Sequence, residues 1–358
     1  MDQLGQPLNV IIDTDMGWDA VLAILLLVKN TSLNILGITI TGCGATHLEH
    51  GCYLARGLLE IANLDAPVCA GADTPRANDN QFPPLFRRNM DHLGGLRATL
   101  PAPRRPLDVR RAWDFMADGL AAEEDPITIL SLGGLTNIAR LVNMSPPACL
   151  ENIQRLVVLG GAVATDGNVA RLNNAIPAHH QGPEYASNIT AEWNIFLDAL
   201  SAKQVFDTRI PITLVPLDAC EFVLLTPDLA SSITAKDPVA TLAKRLLRAK
   251  FDPKSPLFEP DPQPVLDPLA AMIMTGLVDA GERRDLELDV ETVQTRDDNS
   301  CGRTFQVWNS GRRPIEVIDS VFARDFLLAF QQSINAPLRP RAGAVIRENV
   351  SLSTGMHP

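Results

Sequence analysis

Short β-branched runs alternate with apolar segments of helical length over the first 75 residues, and this alternation constrains the fold more than any other feature. Residues 8–12 (LNVII), 33–41 (LNILGITIT) and 66–70 (APVCA) have the composition of buried strands. Between them, 19–29 is apolar at helical length, and 47–62 places Leu54, Leu58 and Ile61 on one side of a helix. Strand, helix, strand, helix, strand requires right-handed crossovers and a parallel sheet. The rhythm resumes with expected helices at 113–121, 136–141, 199–205, 239–250, 267–275 and 324–334. Strands are expected at 127–132, 156–159 and 212–217, with a late β-hairpin from 286–293 and 302–307. The fold class is therefore α/β: a mostly parallel central sheet with helices on both faces, Rossmann-like.

Three stretches break the rhythm, at 73–105, 164–190 and 251–264. The last holds five prolines and cannot be a regular helix. Loops of this length inside a compact domain tend to be binding loops or lids. We read residues 1–358 as one domain carrying these insertions. Ligands on such sheets bind beyond the carboxyl ends of the strands. The residues just after each strand are therefore the candidates for chemistry.

Composition narrows the classes. Apolar residues make up 46% and charged residues 20%, which excludes disordered and collagen-like chains. A net charge of −11 repels phosphate backbones, so no nucleic acid partner is expected. Cys43, Cys52, Cys69, Cys149, Cys220 and Cys301 show no zinc-like spacing and suit reduced, mostly buried thiols. The N-terminus lacks a signal peptide's basic and apolar regions, and the longest apolar run, 20–28, is too short to span a bilayer. A soluble cytoplasmic protein with no membrane partner is the expectation.

The sharpest chemical signal is Asp13-Thr14-Asp15-Met16-Gly17-Trp18-Asp19, three carboxylates within seven residues between a strand and a helix. Such crowding is unfavourable unless a cation or hydrogen-bond donors offset it, and oxygen-only ligands imply calcium or magnesium. Taken alone, Asp19 could simply cap the helix while Asp13 and Asp15 are solvated. Gly133-Gly134-Leu135-Thr136-Asn137 follows another strand, where glycines permit close backbone approach and Thr136 could cap a helix. Asp267 before Pro268 reads as a helix N-cap or a ligand. Glu192-Trp193-Asn194 sets two polar groups around an aromatic ring, suited to a sugar or to a partly buried turn.

In this order the segments DTDMGWDA, LGGLTN, LGGAV, AEWN and LDPLA resemble the inosine–uridine-type nucleoside hydrolases, from about residue 8 to about residue 335. The resemblance implies a calcium-dependent enzyme that splits the N-glycosidic bond of ribonucleosides into ribose and base. It implies side-chain ligation of Ca2+ by Asp13, Asp15 and Asp267, and a backbone carbonyl ligand from Thr136. Asp15 would be the catalytic base, with Asp13 beside it. Asp19, Glu192, Asn194 and an asparagine ahead of AEWN would hold the sugar hydroxyls. Asn188 matches that asparagine, and Asn168 is the other candidate. Leu159 would pack on the ribose, and Trp193 stands at an aromatic position. A homodimer or homotetramer is implied by the resemblance alone.

Two positions depart from the family pattern. Ala20 stands where the family has a metal-binding Asp, which implies weakened metal binding and turnover. Leu266 stands where many relatives have a histidine that protonates the leaving base. His47, His92, His179 and His180 are the alternative acids. Ala20 also motivates a second reading, a nucleoside-binding pseudoenzyme. A third, a haloacid-dehalogenase-like phosphatase, shares the DxD motif but expects Thr or Val where Gly17 stands, and has no role for LDPLA.

Overall fold

A computed structural model describes residues 7–123, 125–175, 181–182, 185–259, 261–295 and 297–338. Among the described residues the chain forms ten strands: β1 (Leu8–Thr14), β2 (Leu33–Ile40), β3 (Val68–Ala70), β4 (Ile127–Leu132), β5 (Ile153–Leu159), β6 (Ile212–Val215), β7 (Ala280–Leu286), β8 (Leu288–Val290), β9 (Thr304–Gln306) and β10 (Ile315–Val321). Eight of them build the main sheet in the order β3-β2-β1-β4-β5-β6-β10-β7. Its neighbours pair in parallel except β10 with β7. β8 and β9 form the small antiparallel ribbon expected from the late hairpin signal.

The sequence dictates this layering directly. Every residue of β4 and β6 is buried, because a parallel sheet covered by crossover helices hides both faces. The helix Trp18–Leu27 is apolar nearly all round and is buried along its length except at Asp19. One contiguous core runs through the sheet and its covering helices.

The structure also departs from the periodicity. The strand expected at 212–217 stops at Val215, because Pro216 has no N–H to donate and caps a short helix, Leu217–Cys220. β7 and β10 were not anticipated as members of the main sheet. β7 reads AGERRDL, and its five exposed residues give no apolar alternation; it is the antiparallel edge, where charge discourages further pairing. The stretch 73–105 contains a helix, Pro84–Asp91, and a 3-10 segment, Leu93–Thr99. The stretch 164–190 contains the helix Val169–Ala175. All six cysteines are free thiols, five of them buried. Among the described residues, no helix is long and apolar enough to cross a membrane.

Candidate active site

The first crossover sets the site. β1 runs through Asp13 and Thr14, and the chain then turns sharply into the helix Trp18–Leu27. Met16 takes φ 60, a strained conformation for a side chain of that size, and its N–H donates to Thr14 Oγ1 at 3.0 Å. The turn leaves Asp15 on the rim of a cavity of about 230 Å³. Gly17 N–H donates to Asp15 Oδ1 at 3.2 Å, and Ala45 N–H donates to Oδ2 at 2.9 Å. Asp13 lies behind the rim and does not line the cavity. Its Oδ1 accepts from Thr39 Oγ1 at 2.6 Å and from Asn137 Nδ2 at 2.8 Å, while its buried Oδ2 has no partner.

Distant segments complete the rim. Asp267 opens the helix Asp267–Met274, lines the cavity and accepts no hydrogen bond among the described residues. Glu192 caps the helix Trp193–Leu197 by accepting from Asn194 N–H at 3.0 Å and Ile195 N–H at 3.2 Å. It also accepts from Gly161 N–H at 3.2 Å. This cap turns the AEWN segment into a helix, where the isolated segment suggested a turn or strand. Asn194 Nδ2 donates to the carbonyl of Leu159, the last residue of β5, at 3.1 Å. Asp19, Leu159, Trp193 and Asn194 all line the cavity.

Electrostatically the rim is short of positive charge. Burial pushes Asp15 up to about 6 and Asp13, Asp19 and Glu192 up to about 7. Asp267 is held well above the ordinary carboxylate range, first by burial and then by the charges of Asp19, Asp15 and Glu192. Lys250 lines the same cavity with its Nζ 2.6 Å from Glu259 Oε1 and 4.4 Å from the centre of the Trp18 ring. Among the described residues no three His, Cys, Asp or Glu side chains are grouped tightly enough to hold a metal ion. The donor chemistry of the acidic rim nevertheless fits a hard cation: carboxylates and an unpaired Asp13 oxygen, with no thiolate or imidazole among the cavity's lining residues. Ala20 is fully buried and adds no oxygen.

Two expected contributors lie elsewhere. Thr136 is not on the cavity: it is the first residue of the helix Thr136–Met144, and its hydroxyl donates to Asp198 Oδ2 at 2.7 Å. Leu132 lines the cavity instead. The register explains this, since β4 pairs Leu132 with Thr14 and so ends level with the acidic turn. Gly133 follows, and a Cβ there would lie 2.9 Å from the Asp15 nitrogen. Asn188 is fully buried and spent internally, donating to Cys301 O at 2.8 Å and accepting from Ala191 N–H at 3.1 Å. Asn168 lines the cavity in its place, accepting from Trp193 N–H at 3.0 Å. Neither His47, paired with Asp91 at 2.7 Å, nor His92 lines the cavity, whereas Leu266 does. His179 and His180 lie outside the described residues.

Sequence reasoning missed the opposite wall. Phe82 stacks on Trp193 with ring centres 4.3 Å apart, and Phe86 stacks on Phe82 at 4.8 Å. Leu257 and Phe258 of the proline-rich loop close the same side. The FPPLF run was the available signal, because paired aromatics beside prolines in a long loop suit a wall of fixed shape.

Comparison with known proteins places this architecture. The profile of the inosine-uridine preferring nucleoside hydrolase family matches residues 10–327. The pyrimidine-specific ribonucleoside hydrolase RihA of Salmonella typhimurium is 30% identical over 242 residues, 67% of this chain and 70% of that protein. An uncharacterized protein of Schizosaccharomyces pombe, C1683.06c, is 31% identical over 214 residues, 59% of this chain, and the match spans 61% of its length. Two solved structures share the fold. An inosine-uridine preferring nucleoside hydrolase from Bacillus anthracis superposes with a TM-score of 0.71 at 22% identity, covering 92% of this chain and 100% of that one. The plant nucleoside hydrolase PpNRh1 gives 0.73 at 23%, with the same coverages. The ordered motifs, the strand-end acids and these similarities agree, and the chain belongs to the inosine–uridine preferring nucleoside hydrolase family.

Proposed function

We propose that this protein hydrolyses the N-glycosidic bond of ribonucleosides, giving ribose and free base, with a calcium ion at the acidic rim. The observation that carries this reading is the convergence of Asp267 with Asp15 and Asp19 on one cavity, from segments about 250 residues apart. Their mutual repulsion calls for a cation.

The chain's own residues divide the work. Asp15, fixed by two amide donors, is the base that takes the proton from the attacking water. Asp13 lies behind it with one free oxygen. Asp19, Glu192, Asn194 and Asn168 surround the space for the sugar hydroxyls, and Leu159 supplies an apolar contact for the ring. Cleavage of an N-ribosyl bond builds positive charge on the sugar, as in other glycoside cleavage, and a rim of carboxylates favours it. Asp13, Asp15 and Asp267, with a backbone carbonyl from Leu132, would hold the calcium ion. When bound, such an ion polarises water and orients the sugar diol.

Ala20 favours a second reading, a protein that binds nucleosides without cleaving them. One experiment separates the two. Purified protein is incubated with calcium and a panel of purine and pyrimidine ribonucleosides, and base release is followed by chromatography beside binding calorimetry. Base release that Asp15→Asn abolishes supports the hydrolase. Binding without release supports the pseudoenzyme, and neither binding nor release overturns both. A cytoplasmic homodimer or homotetramer follows from the family resemblance, and sedimentation velocity tests the oligomer.

A further inference from the structure

We propose that Arg87 is a positioning residue for the reaction: it clamps the 42–46 loop so that the loop's backbone presses on the Asp15 carboxylate and fixes its direction. The inference rests on the assignment of Asp15 as the base.

Arg87 belongs to the helix Pro84–Asp91 and is only 8% exposed. Phe86, Asn89 and Met90 of the same helix line the cavity, but Arg87 does not. Its guanidinium reaches the 42–46 loop instead. Its Nη2 donates to two backbone carbonyls, Gly42 O at 2.7 Å and Thr46 O at 2.9 Å. Among the described residues it forms no ion pair within 4.0 Å with any carboxylate. The charges of Asp91, Asp73 and Asp15 act on it only from beyond ion-pair distance, and Nη1 reaches Gln81 Oε1 at 3.5 Å, so its shortest contacts are the two carbonyls.

Three residues between the clamped carbonyls, Gly44, Ala45 and Thr46, are pressed against Asp15. A Cβ on Gly44 would lie 2.0 Å from Asp15 Oδ2, closer than any real contact. The next residue, Ala45, gives its N–H to that same oxygen at 2.9 Å. Thr46 then donates to the Asp15 carbonyl twice, from N–H at 3.2 Å and from Oγ1 at 2.8 Å. The guanidinium therefore pins both ends of a loop whose middle sets the rotamer of the base. A general base acts only when its oxygen is aimed at the water, and a displacement of 1 Å costs on the order of 100-fold in rate. A charge at this place is not needed merely to fill volume; the two carbonyls of the loop are what its Nη2 engages.

The test compares wild type, Arg87→Met and Arg87→Lys by steady-state kinetics on the best nucleoside, with melting temperature and ribose binding measured alongside. Methionine keeps volume and removes the donors. Lysine keeps the charge and some donation on a shorter stem. The expected result is a kcat lower by about 10–100-fold in Arg87→Met, with KM and ribose affinity within about 3-fold of wild type. Arg87→Lys is expected to recover about half of that loss on a logarithmic scale. Should Arg87→Met fail to fold, Arg87→Lys decides alone, with kcat reduced several-fold at unchanged KM. Folded variants with wild-type kcat, or with losses confined to KM, overturn the inference while leaving the hydrolase intact. Wild-type protein without turnover overturns the proposed function and this inference together.

Discussion

The floor and the wall of the cavity are built by opposite means. The floor comes from strand ends and the turns after them: Asp15 after β1, Leu132 at the end of β4 and Leu159 at the end of β5. Adjacent strands hold these residues in register, so their spacing is a property of the sheet. The wall comes from inserted loops, with Phe82 and Phe86 on one and Leu257 and Phe258 on another. The two loops dock on each other through Leu257, which packs so closely on Gly94 that a Cβ there would meet it at 2.5 Å. The floor is polar and crowded with buried acid, and the wall is apolar and stacked. On the proposed function, the acids sit where the fold is least able to change, and the aromatic wall where it is freest to change.

Removing the base is the hardest blow to the floor. Asp15→Asn is expected to lower kcat by about 10³-fold or more, read by base release at pH 8 with the melting temperature as a control for folding. A mutant within 10-fold of wild type, roughly the smallest loss a general base should show, would remove Asp15 from that role.

Glu192 tests the floor through stability. Burial raises its pKa from 4.5 to about 7, so between those values the folded protein holds a proton that the unfolded chain has released. Stability of the metal-free protein therefore falls as pH rises through that window. Glu192→Gln removes this contribution, and its urea-unfolding free energy should fall less than wild type's from pH 4.5 to 7, by on the order of 3 kcal/mol. Parallel curves for the two proteins would contradict the assigned environment.

Restoring a carboxylate sharpens the comparison further. Ala20→Asp is expected to raise calcium affinity and turnover by about 10–100-fold. Equal calorimetric affinity and equal kcat in the two forms would show that position 20 takes no part in holding the ion.

The smallest effect belongs to the wall. Phe82→Ala removes a stacked partner of Trp193 and is expected to raise KM by about 3–10-fold and shift base preference, with kcat within about 3-fold. A loss confined to kcat would mean that the wall also shapes the chemistry.

The sequence made the floor legible and left the wall dark, for one physical reason. Acids placed after β-branched runs report the end of a strand, and parallel sheets bring strand ends together. The alternation of the first 75 residues therefore yielded a parallel sheet and the acidic turn, and the later rhythm yielded the Asp267 helix. Register was not visible, so the resemblance pointed to Thr136, and Leu132, four residues earlier, went unnamed. Asn188 was preferred to Asn168, although Asn168 is the one that lines the cavity, because which one is consumed by internal hydrogen bonds depends on distant Cys301. β7 was hidden by its charges, and Lys250 by its position at the end of an ordinary amphipathic helix, Pro238–Lys250. Loop aromatics such as Phe82 acquire meaning only once Trp193 is placed opposite them.

The central claim is that oxygens from the first turn and from the Asp267 helix meet around one ion that also faces the sugar. A crystal structure grown with calcium and ribose, with anomalous data to identify the ion, tests this most directly. The account predicts a peak with Asp15 and Asp267 oxygens at about 2.3–2.6 Å and the ribose diol beside it. Ribose bound with no ion between those two carboxylates, or an ion bound elsewhere, would contradict it.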